Sequence, residues 1–304
     1  MSNQIYRQIS ESLIRMGAKT AIISIDNLSK IQRLFTDIID VRPYSIEFYE
    51  MYLKRLKEDN STVFPDAKSI IIIVYPQQIT GVNFNYNGRA IEIIIPPTYI
   101  YKDAENNIRS LLQKILSGYG YLLKNSTLPG KFTTVLSGLG KYGRNNLCYI
   151  KGMGSFNTPL IYLSDLPVEE TQLSEISLAS SCKNCKRCID ICPTGAINRD
   201  SFIINPEICI TYFNENELEL PDWILTKWQN TLVGCMLCQR ICPMNKKLLN
   251  NINRSINFTE ADTDLILQNT EFKDLPQSIK DKLTQLCLES YYEIIPRNLR
   301  ILIT

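Results

Sequence analysis

Between positions 4 and 16 apolar residues recur every three or four places, so that Ile5, Ile9, Leu13 and Ile14 fall on one side of a helix that Gly17 stops. The period then changes. KTAIISI at 19–25 is an apolar run of strand length, and helical spacing returns from Asp26 to about Asp40. A third helical stretch spans 45–58, with Phe48, Met51, Tyr52 and Leu56 as a stripe for the core. SIIIIVY at 69–75, led in by FPDAK and ended by Pro76, is short, continuous and β-branched, as a central strand covered on both faces requires. A polar loop with Gly81 and Gly88 is expected next, then a second isoleucine strand at 91–95 ended by Pro96 and Pro97.

Positions 104–123 read as a helix interrupted near Gly118 and Gly120, with Ile108, Leu111, Leu112, Ile115 and Leu116 on one side. A further strand covers 159–166, and this alternation of strands and helices predicts an α/β layered domain over 1–175. Residues 169–180, rich in Ser and Glu, are a linker into a second domain at 176–255. Within that domain 203–206 is expected as a short strand and turn, and Cys209 to open a helix. Acidic positions in 215–222 fill an insert, and Trp223 and Trp228 are expected to pack. A C-terminal helical segment, 256–304, ends near Arg297-Asn298-Leu299-Arg300.

Composition narrows the chemistry. The 304 residues carry 33 basic and 31 acidic side chains, a formal net charge of +2 without a basic tract, so charge gives no support to nucleic-acid binding. The N-terminus is polar, no apolar run reaches about 18 residues, and a cytoplasmic protein without a membrane span is expected. There is no histidine, which removes the commonest general acid/base and every imidazole ligand. Chemistry here calls for a cofactor.

The cysteines say which. Cys182, Cys185, Cys188 and Cys192-Pro193 form C-x2-C-x2-C-x3-C-P, and Cys235, Cys238 and Cys242-Pro243 repeat its last three members, the spacing of a bacterial two-cluster ferredoxin. Moving the first motif on by 50 positions puts Cys185 on Cys235 but Cys182 on Leu232, so the second copy lacks one ligand. The Cys before each Pro ligates the other cluster. Cluster one then takes Cys182, Cys185, Cys188 and Cys242, and cluster two takes Cys192, Cys235, Cys238 and Cys209, the one remaining cysteine between the motifs. Zinc is the alternative for C-x2-C pairs, but this repeated, ligand-exchanging pattern is unusual for it. A disulfide framework would need an oxidising compartment. Cys148 and Cys287 sit in apolar strand and helix contexts and are expected to be inert.

A G-x-G-x-x-G match at 138–143 lacks the strand–turn–helix context of a dinucleotide fingerprint. Its glycines fit either turns of positive φ or a backbone that a large planar cofactor approaches closely. The small-residue theme returns in GMGSF at 152–156.

SGLGKYGRNNL at 137–147, GSFNTPLIYLSDLP at 154–167, CKNCKRCIDICPTGAI at 182–197, CITY at 209–212 and GCMLCQRICPMNK at 234–246 resemble the epoxyqueuosine reductases in composition and order. FPDAKSIIIIVYP at 64–76 is similar to the same family. The resemblance implies a cytoplasmic reductase with a nitroreductase-like α/β domain, a ferredoxin-like α+β domain holding two 4Fe-4S clusters, and a cobalamin between them. Reductive dehalogenases share that plan. It further implies a corrin bed of Gly138, Leu139, Gly140, Lys141, Tyr142, Gly143, Arg144, Asn145 and Asn146 with Gly154, Ser155 and Phe156, and with Ser164, Asp165, Leu166, Thr211 and Tyr212 nearby.

Two features of the family are not matched. Its acidic proton donor has no counterpart in KNSTLPGKFTTVL at 124–136, and its Asp-Tyr-His stretch none in PPTYIYKDAENN at 96–107. A cobalamin-dependent reductase of a small or nucleoside-like substrate other than epoxyqueuosine is therefore expected, with Lys141, Tyr142 and Tyr212 as candidate proton donors. Transfer RNA is a partner that only the resemblance suggests. An external low-potential ferredoxin or flavodoxin would supply electrons, and without histidine the cobalamin would be held base-off. The alternative is a corrinoid-reducing or electron-transfer protein with no substrate of its own.

Overall fold

The structure, a computed structural model, describes residues 2–304. The chain runs α1 (Ser2–Arg15), β1 (Lys19–Ser24), α2 (Leu28–Ile39), α3 (Ile46–Phe48), α4 (Asn60–Val63), β2 (Ser69–Pro76), β3 (Ile79–Tyr86), β4 (Arg89–Ile95), α5 (Lys102–Ser117), β5 (Leu123–Asn125) and α6 (Gly130–Leu136). It continues through β6 (Gly140–Tyr142), β7 (Cys148–Ile150), β8 (Asn157–Ser164), α7 (Arg187–Ile191), α8 (Ile210–Glu215), α9 (Leu237–Arg240), β9 (Ile252–Phe258), α10 (Glu260–Leu267), α11 (Gln277–Gln285) and α12 (Ile295–Ile303).

The isoleucine run is the spine of the first sheet. β2 lies between β1 and β8, β8 also pairs with β5, and every pairing is antiparallel. Ile71, Ile73, Leu160 and Tyr162 face α1 and α5, while Ile70, Ile72, Val74, Ile161 and Leu163 face α2 and α6. Burial on both sides explains why the strand is apolar without alternation, each covered side chain contributing about 1.5–3 kcal/mol. Gly17 ends α1 at φ 75, where the Ala18 N–H reaches back to Leu13 O. Ile14, expected on the buried face, is 64% exposed, because one residue past Leu13 turns its side chain off the buried stripe.

The stretch 45–58 is not one helix. α3 passes into a π-helical turn, Tyr49–Leu53, and then a 3-10 turn, Arg55–Lys57. Phe48 and Tyr52 stay inside, their rings edge-on to Tyr212, and Met51 turns outward.

A second sheet replaces the expected polar loop. β3 and β4 form a hairpin across Asn87-Gly88, both at positive φ, and β3 pairs in parallel with β9. Thr80, Asn83 and Asn85 punctuate β3 with polar positions, which is how a strand reads as a loop. The 256–304 segment is correspondingly not a separate helical tail: it shares a core with β3 and β4 through Val82, Phe84, Ile95, Phe258, Ile266, Leu283 and Leu299. Phe84 and Phe258 stack at 4.7 Å. Cys287, expected in a helix, lies just past α11 at φ 55 and is buried.

The region between the sheets has little regular structure. α7 and α9 stand at the same 50-residue offset as the cysteine motifs and pack together. Residues 203–206 form no strand; Asn205 N–H instead bonds Ala196 O at 2.7 Å. Trp223 is edge-on to Phe213 but 44% exposed, and Trp228 packs against the first core. The terminal RNLR is a tie: Arg297 donates to Phe213 O and Leu218 O, and Asn298 to Asn214 O and Leu232 O. No described helix is long and apolar enough to cross a membrane.

Candidate iron-sulfur and cofactor site

Cys182, Cys185, Cys188 and Cys242 line one cavity of about 570 Å³. The first three come from the loop leading into α7 and from its first turn, the fourth from the turn after α9, so packing α7 on α9 brings both motifs to one space. Arg144 locks that loop from the α/β domain, with Nε on Cys182 O at 3.0 Å, Nη2 on Lys183 O at 3.1 Å, and Nη1 on Arg199 O. Burial pushes the Cys188 thiol up to about 11, with Cys182, Cys185 and Cys242 adding to the rise. Four thiols crowded at one cavity fit a site that holds the positive charge of iron. Among the described residues no three His, Cys, Asp or Glu side chains converge as ligands of one ion. A cavity walled by thiols suits a cluster better than a tetrahedral zinc.

Cys192, Cys209, Cys235 and Cys238 form a second neighbourhood. Burial pushes Cys209 up to about 12, reinforced by Cys235 and Cys192 and opposed by the Thr211 N–H and hydroxyl that point at its sulfur. Cys238 is raised well above the ordinary thiol range by burial, then by Cys235, with Cys209 contributing further. Asn230 donates to Cys235 Sγ at 3.3 Å. The position that would repeat Cys182 is Leu232, fully buried in the second core and tied by its N–H to Ile94 O at 3.0 Å. Backbone committed to β4 is unavailable to the cavity, and Cys209 stands at the start of α8 with extended φ and ψ of −72° and 136°.

The glycine hairpin is closely packed. A Cβ on Gly140 would lie 2.6 Å from Cys148 Sγ, and one on Gly143 2.6 Å from Asn145 Oδ1 and against the Tyr149 ring. The protein's own side chains claim that room. Beyond it, Asn145 donates to Tyr149 Oη at 3.1 Å, and the pair lies beside Cys242 and Cys238, so the hairpin reaches both thiol groups. Sequence reading missed Tyr149, whose only signal is its place in an apolar β-strand.

Several expected bed residues are occupied elsewhere. Gly154 and Ser155 build the joint to the cluster region: Ser155 N–H bonds Asn245 Oδ1 at 2.9 Å, its hydroxyl bonds Gln239 at 3.0 Å, and Asn245 fills the space beside Gly154. Phe156 is buried with Met236 and Ile79. Ser164 donates to Leu122 O, Asp165 accepts from Leu122 N–H, and Leu166 packs in the layer of α1 and α5, on the sheet face opposite α6. Thr211 serves Cys209, as above, and Arg144 is spent on the cluster loop. Gly138 has φ 83 beside Ser174, Leu139 packs on the first core, and Lys141 is exposed. Tyr142 stacks on Phe202 at 4.4 Å and Tyr212 lies among Phe48, Tyr52 and Phe213, burial raising both phenols.

Lys131 and Glu215 come from stretches given no chemistry in the sequence, and Lys131 meets Asn146 of the expected bed. Lys131 of α6 donates to Asn146 O and Oδ1, each at 3.1 Å, and stands near Cys148, Glu215 and Cys209. Desolvation by the protein around it lowers its pKa, opposed by Cys148, Glu215 and Cys209, while its side chain stays accessible. Glu215, at the end of α8, accepts from the Tyr99 hydroxyl and lies near Tyr52. Lys131 and Glu215 thus stand on the side of Cys209, in the second thiol group.

Residues 181–245 match the 4Fe-4S double cluster binding domain. The chain is 30% identical over 204 residues to the epoxyqueuosine reductase of Cyclobacterium marinum, covering 64% of this chain and 63% of that protein. The chain is a relative of the epoxyqueuosine reductases. That of Lactococcus garvieae is 28% identical over 51% of this chain and 42% of its own length. The chain thus spans less than two thirds of these curated relatives. The solved epoxyqueuosine reductase of Bacillus subtilis, with its catalytic loop swung out of the active site, superposes on 100% of this chain and 82% of its own at a TM-score of 0.71 with 21% identity. The whole chain therefore has the epoxyqueuosine reductase fold.

Proposed function

We propose that this protein is a cobalamin-dependent iron-sulfur reductase in a reducing, cytoplasmic compartment. Cys182, Cys185, Cys188 and Cys242 hold one 4Fe-4S cluster, and Cys192, Cys209, Cys235 and Cys238 hold the other. The observation that carries this reading is the enclosure of the first four thiols around one cavity inside the matched double-cluster region. Cobalamin, when bound, supplies the reducing centre at which substrate is converted. The chain's share is to hold the two clusters and to bring electrons to the cofactor. Lys131, bonded to Asn146, stands near Glu215 and Cys209 of the second thiol group.

Electrons enter at cluster one, where exposed Lys183, Lys186 and Arg187 favour an acidic ferredoxin or flavodoxin. A solved epoxyqueuosine reductase carries an epoxyqueuosine-modified tRNA stem loop. In this chain 124–136 holds no carboxylate, which supports a small or modified-nucleoside substrate other than epoxyqueuosine. Anaerobic purification with added cobalamin tests the proposal. About eight iron and one cobalt per chain are expected; iron without cobalt overturns the cobalamin reading, and zinc in place of iron overturns the whole.

A further inference from the structure

We propose that Asn145 and Tyr149 are positioning residues of the electron path, one hydrogen-bonded pair that donates to a cysteine ligand of each cluster and raises both reduction potentials. The inference rests on the functional reading above. Both side chains are buried, Asn145 at 5% and Tyr149 at 6% exposure, and both line the cavity of Cys182, Cys185, Cys188 and Cys242. Tyr149 lies beside Cys242 of the first thiol group, and Asn145 beside Cys238 of the second. Two residues of the α/β domain thus stand where the two groups meet.

Local structure sets them there. In β7 Cys148 and Ile150 face the first core, so Tyr149 between them faces the thiols. Asn145 comes from the turn joining β6 to β7, closed by Gly143 N–H on Leu147 O at 2.8 Å and Asn146 N–H on Gly143 O at 3.1 Å. The fit requires glycine at 143: a Cβ there would run into the Tyr149 ring and Asn145 Oδ1. Across from the pair, Cys238 and Cys242 stand four residues apart around α9, one helical turn, so ligands of different clusters share a face. At the matching step of α7 the sulfur of Cys192 has Thr194 Oγ1 at 3.6 Å instead.

The donor hydrogens are available. Asn145 Nδ2 donates to Tyr149 Oη at 3.1 Å, which leaves the Tyr149 hydrogen for Cys242 and the second Nδ2 hydrogen for Cys238. Asn145 Oδ1 is buried with no partner, so this amide is not a staple that closes its own turn. A hydrogen donated to a ligand sulfur offsets negative charge on the cluster. Reduction adds such charge, so the reduced state gains more from the bond and the potential rises. No bond breaks in this role: the electron comes from the external donor, and the hydrogens stay on oxygen and nitrogen.

Redox titration of the iron-loaded protein, followed by paramagnetic resonance of the reduced clusters, tests this. Tyr149→Phe keeps the ring and should make one couple roughly tenfold harder to reduce, a fall of about 59 mV for one electron. Asn145→Leu should lower both couples. Electron-nuclear double resonance in D2O should show an exchangeable-hydrogen coupling in the native protein that Tyr149→Phe loses, a signal that packing alone does not move. An unmoved or raised potential in either variant at full iron, or persistence of that coupling in Tyr149→Phe, overturns the proposal. If Asn145→Leu fails to take up iron, Tyr149→Phe decides. Iron measured on the same samples separates the two readings: full iron with unmoved potentials sinks only the role of the pair, and native protein without iron sinks both.

Discussion

The two thiol groups are built from one sequence unit repeated 50 positions apart, yet their surroundings differ. The first lines an open cavity, with exposed Lys183 and Arg187 at its rim and Arg144 fastening its loop from outside. The second takes Cys209 from α8, is braced by Asn230 and Thr211, and stands near Lys131, Tyr99 and Glu215. The difference begins with one residue. Leu232 gives its N–H to β4 and its side chain to the second core, so a ligand must come from elsewhere, and the helix that supplies it also carries Glu215.

Cys209→Ser breaks the comparison most severely. Iron should fall from about eight to about four per chain, with the first cluster's reduced spectrum intact; full iron content would refute the ligand assignment. Arg144→Ala removes three charge-assisted bonds to the first cluster's loop and should cost about 2 kcal/mol, discounted for partial exposure. Stability of the first cluster to an iron chelator should drop while the second holds. Lys183→Glu with Lys186→Glu should slow reduction by an acidic donor about 10-fold at low salt and little at high salt, measured by stopped-flow absorbance. Smallest is Cys148→Ala: its thiol, pushed up to about 12 by burial, is packed against Gly140, and iron content should be unchanged.

How much of this the sequence could say follows from the kind of constraint. Thiolate spacing is local chemistry, so the two groups and the need for Cys209 were legible before any fold. The isoleucine run of β2 was legible because burial on both faces leaves no alternation to misread. β3 was not, since Thr80, Asn83 and Asn85 alternate with its apolar positions and its partner β9 lies more than 160 residues away. The glycines were legible as small but not for whom: Gly140 and Gly143 make room for Cys148, Asn145 and Tyr149. Glu215 was hidden in an acidic stretch whose other members are solvated, and only Tyr99 and Gly234, brought in by the second sheet, mark it as different.

The account's central claim is that the second thiol group is the one beside the cofactor. Paramagnetic resonance of the cobalamin-loaded protein, poised with cob(II)alamin and reduced clusters, tests it most directly. The cobalt signal of the native protein should be broadened by a neighbouring cluster spin, and Cys209→Ser, still holding the first cluster and cobalamin, should lose that broadening. Broadening that survives in Cys209→Ser would place the first cluster beside the cofactor and contradict the account.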